Sequence, residues 1–187
     1  MLKQYEYLGV KIPRDVTPYK IEPYIPDYNR QPNPDFKYDE SKINQLLNNV
    51  DPVYINSDNV PTFKNKKKLR EWAKVQFLEN RHVTIVSDKE QILLSVKNMR
   101  RATEKQKPDD IKMNAVFSKL REVLQNAQYY DFEPLDDKHK NKDILGQYVY
   151  YSKIIIDKTP YLVRFKIDVP THTYGELQYA GHRIIKM

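Results

Sequence analysis

The stretch from Gly146 to Lys186 constrains this chain most. It reads QYVYYSKIIIDKTPYLVRFKIDVP from Gln147 and closes with YAGHRIIKM. Apolar and polar residues alternate on both sides of Asp157-Lys158-Thr159-Pro160, the period-two signature of two strands joined by a short turn. A loop of Lys158 and Thr159, or of all four residues, predicts one register: Ile156 opposite Tyr161, Ile154 opposite Val163, and Ser152 opposite Phe165. That face is apolar. Side chains alternate along a strand, so the other face pairs Ile155 with Leu162, Lys153 with Arg164, Tyr151 with Lys166 and Val149 with Asp168. Lys153 and Arg164 would repel across the strands, and an anion would relieve them. Cations also serve the solvated face of half-buried sheets, where they discourage edge-to-edge aggregation. Alternation alone leaves both uses open.

The remaining composition narrows the chemistry. The 187 residues contain no cysteine, which excludes disulfides and thiolate catalysis, and four scattered histidines make a poor zinc site. No metal or cofactor is expected. With 32 Lys and Arg against 25 Asp and Glu, the net charge of +7 favours an anionic partner, most often nucleic acid. No apolar run reaches the roughly 18 residues of a membrane span, and the N-terminus lacks the apolar core of a signal peptide. A cytoplasmic protein with no membrane partner is the expectation. Fifteen tyrosines against six phenylalanines suit surfaces that are apolar on one side and wet on the other, including platforms for base stacking.

Residues 1 to 34 carry Pro13, Pro18, Pro23, Pro26, Pro32 and Pro34 with tyrosines between them. Proline fixes φ and removes a donor, so this reads as an extended arm that packs on a partner protein or on its own domain. Asp39 to Ser41 offers an N-cap before Ile43, Leu46, Leu47 and Val50, a short helix ended by Asp51-Pro52. The expected organisation is an arm with one short helix over residues 1–60, then one domain over 61–187. In that domain Leu69, Trp72, Ala73 and Phe77 share a helical face, behind Lys66, Lys67 and Lys68 in a first turn whose dipole they oppose. His82 to Ser87 alternates as a strand, whereas Gln91 to Val96 fits strand or helix. Lys97, Arg100, Arg101, Lys105 and Lys107 follow as the densest basic cluster, suited to a phosphate backbone or to a polar loop. Asp109 and Asp110 cap a helix with Met113, Val116, Phe117, Leu120, Val123, Leu124 and Ala127 on one stripe. That stripe should pack on the apolar face of the hairpin. His139 sits in a polar loop, and His182, Ile184 and Lys186 share one face of a last strand.

Several of these pieces carry a resemblance. Ala127, Tyr129 and Tyr130 after the helix, the aromatic strand Tyr148 to Lys153, the IDKTPYLVRFKI hairpin, and Tyr179 with His182 resemble the third of the large polyvalent protein-associated domains. Such domains occur in phage head-morphogenesis proteins and in polyvalent proteins of conjugative elements. The resemblance runs from Lys64 to Lys186. Its layout is similar to the phage branch of the Barnase, EndoU, colicin and RelE-like nucleases. It implies an α+β fold with helices on one face of an antiparallel sheet of four or more strands, and a cytoplasmic or virion-carried effector.

The same resemblance implies metal-independent RNA cleavage, in which the ribose 2′-OH attacks the adjacent phosphate. His182 would then be general acid or base, with an ordinary pKa near 6.5 that suits proton transfer. Arg164 and Lys166 would hold the phosphate, Tyr151 would stack on a base or donate to a phosphate oxygen, and Lys153 would complete the cationic face. Lys97, Arg100 and Arg101 would bind the nucleic acid outside the reacting centre. The chain departs from its relatives in the hairpin turn, where they carry glycine, and at Ala180-Gly181, where they carry larger residues. The side of the strand that His182 takes relative to Arg164 is therefore open. A non-catalytic module that grips nucleic acid or an acidic protein is the competing expectation.

Overall fold

The computed structural model describes residues 30–78, 81–135, 143–171 and 175–187. The elements in chain order are α1 (Glu40–Leu46), β1 (Val53–Ile55), α2 (Lys66–Leu78), β2 (His82–Thr84), β3 (Gln91–Leu93), α3 (Val96–Glu104), α4 (Ile111–Ser118), α5 (Leu120–Gln125), β4 (Gln128–Pro134), β5 (Ile144–Ile156), β6 (Thr159–Pro170) and β7 (Leu177–Lys186). The strands form one sheet in the order β1-β5-β6-β7-β3-β2. The outer edge of β5 is shared: β4 pairs with residues 146–151 and β1 with 154–156. This corrects the expectation of an antiparallel sheet, because β1 runs parallel to β5 and β3 parallel to β7. Both parallel pairs are short, so no run of alternation announces them.

The hairpin β5–β6 forms as expected, with a different register. Its loop is Asp157-Lys158, both at positive φ, and Thr159 and Pro160 already belong to β6. Ile156 therefore faces Thr159, Ile154 faces Tyr161, Lys153 faces Leu162, Tyr151 faces Arg164 and Val149 faces Lys166. The slip is by two residues, so every side chain keeps its expected face and changes its partner. The cause lies about a hundred residues upstream. The Asp157 amide donates to the Ile55 carbonyl at 3.1 Å, and Asp157 Oδ1 accepts from the Ser57 amide at 2.8 Å. The bonding from Ser57 holds the Asp157 carboxyl below its usual pKa, and the two bonds together secure a left-handed aspartate that β1 places.

The main core lies under the apolar face. Val116, Phe117, Leu120, Val123 and Leu124 of α4 and α5 pack with Ile154, Val163, Phe165 and Tyr179 of the sheet. The expected single helix breaks at Lys119 (φ −122°, ψ 22°), yet its stripe stays buried. Asp110 caps α4 by accepting from the Met113 amide. In α2, Leu69, Ala73 and Phe77 are fully buried, as their spacing requires. Lys66, unfavourable for its own helix, donates to the Glu104 carbonyl at the end of α3, where a cation suits the dipole.

The opposite face is covered too, which corrects the one-sided arrangement. Ile43 and Leu47 of α1 close over Val149, Tyr151 and Leu162, with Tyr130 from β4. Asp39 is the N-cap, accepting from the Lys42 amide. Residues 30–39 lie along β4 and its neighbours. Tyr130 donates to the Lys37 carbonyl at 2.7 Å and accepts from the Asp39 amide at 2.8 Å. Arg30 pairs with Asp88 at 2.9 Å and stacks over the Tyr129 ring at 3.8 Å. The rest of the expected proline-rich arm, residues 1–29, and His139 fall outside the described residues. Among the described residues no helix is long and apolar enough to cross a membrane.

Candidate functional site

The basic segment after β3 is a helix, not a loop. Ser95 caps α3 by accepting from the Asn98 amide, and Met99 and Thr103 turn inward. The signal was present in the Ser95-x-x-Asn98 spacing and in Met99, Ala102 and Thr103 at helical intervals. This helix packs beside β7 and divides its cations. Lys97 and Arg100 are exposed and border neither cleft described below. Arg101 reaches Asp168 at 3.1 Å, and Gln147 donates to the same carboxylate at 2.7 Å.

Two clefts meet at His182 and Arg183. The smaller, about 260 Å³, is bordered by Arg101, Gln147, Arg164, Lys166 and residues 180–183. The larger, about 840 Å³, runs between the end of α3, the start of α4 and β7, and is bordered by Lys105, Lys107, Lys112, Arg183 and Lys186, with Asp110 as its one carboxylate. The like-charge pair expected between Lys153 and Arg164 does not exist, since Lys153 faces Leu162 and borders neither cleft. A different one does: Arg164 lies directly opposite Arg183 on β7. Arg164 rests over the Tyr38 ring at 4.3 Å, and among the described residues neither arginine has a carboxylate partner. Lys166, by contrast, is neutralised by Glu133 at 2.5 Å. An anion between the two arginines would turn a repulsion into two charge-assisted bonds.

Tyr151 is 1% exposed, edge-on to Tyr130 at 5.3 Å, so its ring belongs to the second core and presents no stacking face. Burial raises its pKa, with Arg164 opposing the shift.

The side taken by His182 is decided by a bulge. Ile167 faces Tyr179 and Lys166 faces Gly181, so Ala180 and Gly181 together oppose one residue. Gly181 takes φ +158°, which a side chain would resist, although nothing near it would block a Cβ. Tyr179 and His182, three apart, consequently point to the same side, and His182 faces Phe165, away from Arg164. The imidazole lies edge-on to Phe117 at 5.1 Å and takes a 2.5 Å hydrogen bond between Nδ1 and the Tyr179 hydroxyl. Although the residue shows part of its surface, Nε2 is buried and has no partner among the described residues. Burial lowers its pKa to about 4. At neutral pH this histidine has no proton to spare as an acid. The arginines and lysines that border the two clefts are suited to holding an anion.

A second buried polar atom without a partner belongs to Gln106, a residue that lines the larger cleft. Gln106, 6% exposed, donates through Nε2 to Asn114 Oδ1 at 2.8 Å, leaving Oε1 without a partner among the described residues. Each such orphan costs roughly 1–3 kcal/mol. Nothing in the local sequence singles out Gln106, which read as part of a polar connection. Among the described residues no three of His, Asp and Glu converge as metal ligands would.

A family model described as large polyvalent protein-associated domain 3 matches residues 61–179, from before α2 to the third residue of β7. It includes Arg164, Lys166 and Tyr179 and stops short of His182 and Arg183. No curated protein and no solved structure matches the chain.

Proposed function

The chain belongs to the family of large polyvalent protein-associated domain 3, and from that premise we propose that it is a nucleic-acid-binding module, with RNA as its partner. The observation that carries this reading is the Arg164–Arg183 pair, two arginines forced together across β6 and β7 at the junction of two basic clefts. A phosphate there binds both, and lysines on the rim of the larger cleft continue the path of a backbone. Neutralising phosphates releases counterions, so affinity should fall steeply with salt. The test is RNA binding titrated against salt for the natural chain and an Arg164→Ala, Arg183→Ala double variant with checked folding. The expected result is weaker binding and a log K versus log salt slope shallower by about 1–2. An unchanged slope, or no binding at low salt, would remove the site.

Metal-independent RNA cleavage by 2′-OH attack, in the manner of the Barnase, EndoU, colicin and RelE-like nucleases, is the second reading. One observation favours it: His182, Arg164 and Lys166 border the same small cleft. It requires the buried Nε2 to reach substrate, which the pose on Phe117 opposes. Total RNA incubated with the protein in excess EDTA separates the two. Fragments ending in 2′,3′-cyclic phosphate, lost in His182→Ala and Arg164→Ala, would establish the nuclease. Bound but intact RNA would leave the binding module. Either activity belongs to an effector working in a cytoplasm or carried with a virion.

A further inference from the structure

The smaller cleft carries more positive charge than an internal phosphate can answer. Arg101, Arg164, Lys166 and Arg183 border it, and among the described residues no carboxylate does. Two of these cations are already engaged, Arg101 by Asp168 and Lys166 by Glu133. Asp168 is buried and also accepts from Gln147, a second bond that fixes its carboxylate beside the cleft. Arg164 and Arg183 remain, opposite one another on β6 and β7, with two positive charges between them. Tyr38 lies against Arg164 at 4.3 Å, a contact with the π face of its ring that spends none of the guanidinium's N–H donors. Beside the pair the floor of the cleft is bare: Lys166 faces Gly181, where a Cβ would meet nothing within 4 Å.

Resting on the nucleic-acid-binding reading, we infer that this cleft takes a terminal phosphomonoester of RNA. An internal phosphodiester brings a single negative charge and only a pair of unesterified oxygens, so one of the two arginines stays uncompensated. A phosphomonoester brings close to two charges at neutral pH and three such oxygens, enough for a fork from each arginine. The size agrees with this choice. At about 260 Å³ the cleft lies below the roughly 300–1,000 Å³ of sites that enclose a whole small molecule, and it suits the phosphate group alone. The strand leading from that phosphate continues past Arg183 into the larger cleft, whose lysines meet the phosphodiesters that follow. The consequence is a protein that holds an RNA by its phosphorylated end.

The test uses the full chain and one internally labelled, mixed-sequence single-stranded RNA in forms that differ only at the ends: hydroxyls, a 5′-phosphate, a 3′-phosphate, and each phosphate blocked as its methyl ester. Affinity at one salt concentration is measured for the natural chain, for Arg164→Ala and Arg183→Ala, and for Lys97→Ala, which removes an exposed charge that borders neither cleft. Melting temperatures exclude unfolded preparations. The expected result is that RNA with a free phosphate at one end binds about tenfold tighter than the hydroxyl form, and that its methyl ester falls back to the hydroxyl level. Which phosphate gives the gain identifies the end. Each arginine variant should abolish the preference, and Lys97→Ala should keep it. Equal binding of all forms by the natural chain, a methyl ester as good as the free phosphate, a preference that survives both arginine variants, or one lost equally in Lys97→Ala overturns the inference and leaves the Arg164–Arg183 site to its own salt titration. Failure to bind RNA in any form overturns both.

Discussion

The two faces of the sheet are covered in different ways. On one, α4 and α5 lay a continuous apolar stripe over Ile154, Val163 and Phe165. On the other, the two turns of α1 seal a smaller cluster around Tyr151 and Leu162, and the covered area gives way to Tyr38, Glu133, Lys166 and Arg164. The first face is a core with a few polar atoms trapped in it, and the second is a polar surface with a small core set into it. Stability should therefore rest mainly on the first, and charge recognition on the second and its border with β7.

The strongest way to break that comparison is Phe117→Ala. Its ring is fully buried between Phe77 and His182, and truncation should cost about 4 kcal/mol, read as a lowered urea midpoint. A loss below about 1 kcal/mol would mean that the first face does not carry the fold. The next effect is pH-dependent. His182 titrates near 6.5 unfolded and near 4 folded, so between these values the unfolded chain binds more protons. Stability from the neutral, buried ring is fully present above the unfolded value. It declines as pH falls through the window, by roughly 3 kcal/mol in total. His182→Phe should flatten that part of a melting-temperature profile between pH 7 and pH 4, and an unaltered slope would show that the imidazole is not held neutral by burial.

On the second face the effects should be smaller. Leu47→Ala should cost about 2 kcal/mol, since the site lies under a short helix that can settle inward. Equality with Phe117→Ala in the same urea titration would erase the asymmetry. Asp39→Ala removes the cap of α1 and should cost about 1 kcal/mol. Hydrogen exchange should place that loss in residues 40–47 alone, and a loss spread over α4 and α5 would show the two faces to be one cooperative unit.

The same asymmetry governed what could be read without coordinates. The first face was legible because helix periodicity and strand alternation are local patterns, and Val116, Phe117, Leu120, Val163 and Phe165 all fell where those patterns put them. The second face was legible only in parity. Arg164, Lys166 and Tyr151 do share a side, but that α1 comes back to bury Tyr151 depends on contacts about a hundred residues apart. So does the hairpin register, which Ile55 and Ser57 set by holding Asp157 in the turn. The candidate site shows the limit most clearly. Arg101, from the basic run, and Arg164, Lys166 and His182, whose roles the family resemblance implied, do border one cleft. Arg183, opposite Arg164, and Gln106, turned by Asn114, have no local signature. Within the basic run the pattern does not separate Lys97 and Arg100, which are exposed and border neither cleft, from Arg101, which borders one.

The extra residue in β7 also reverses a familiar ranking of genetic lesions. Losing Ala180 would restore a regular ladder in which Tyr179, His182 and Ile184 keep their present sides. Replacing Gly181 by a β-branched residue keeps the length but denies the strand the backbone shape that absorbs the surplus. If the ladder then closes without the bulge, everything from His182 to the terminus turns over, and Arg183 is driven beneath the helices. At this point in the chain an absent residue is gentler than a wrong one.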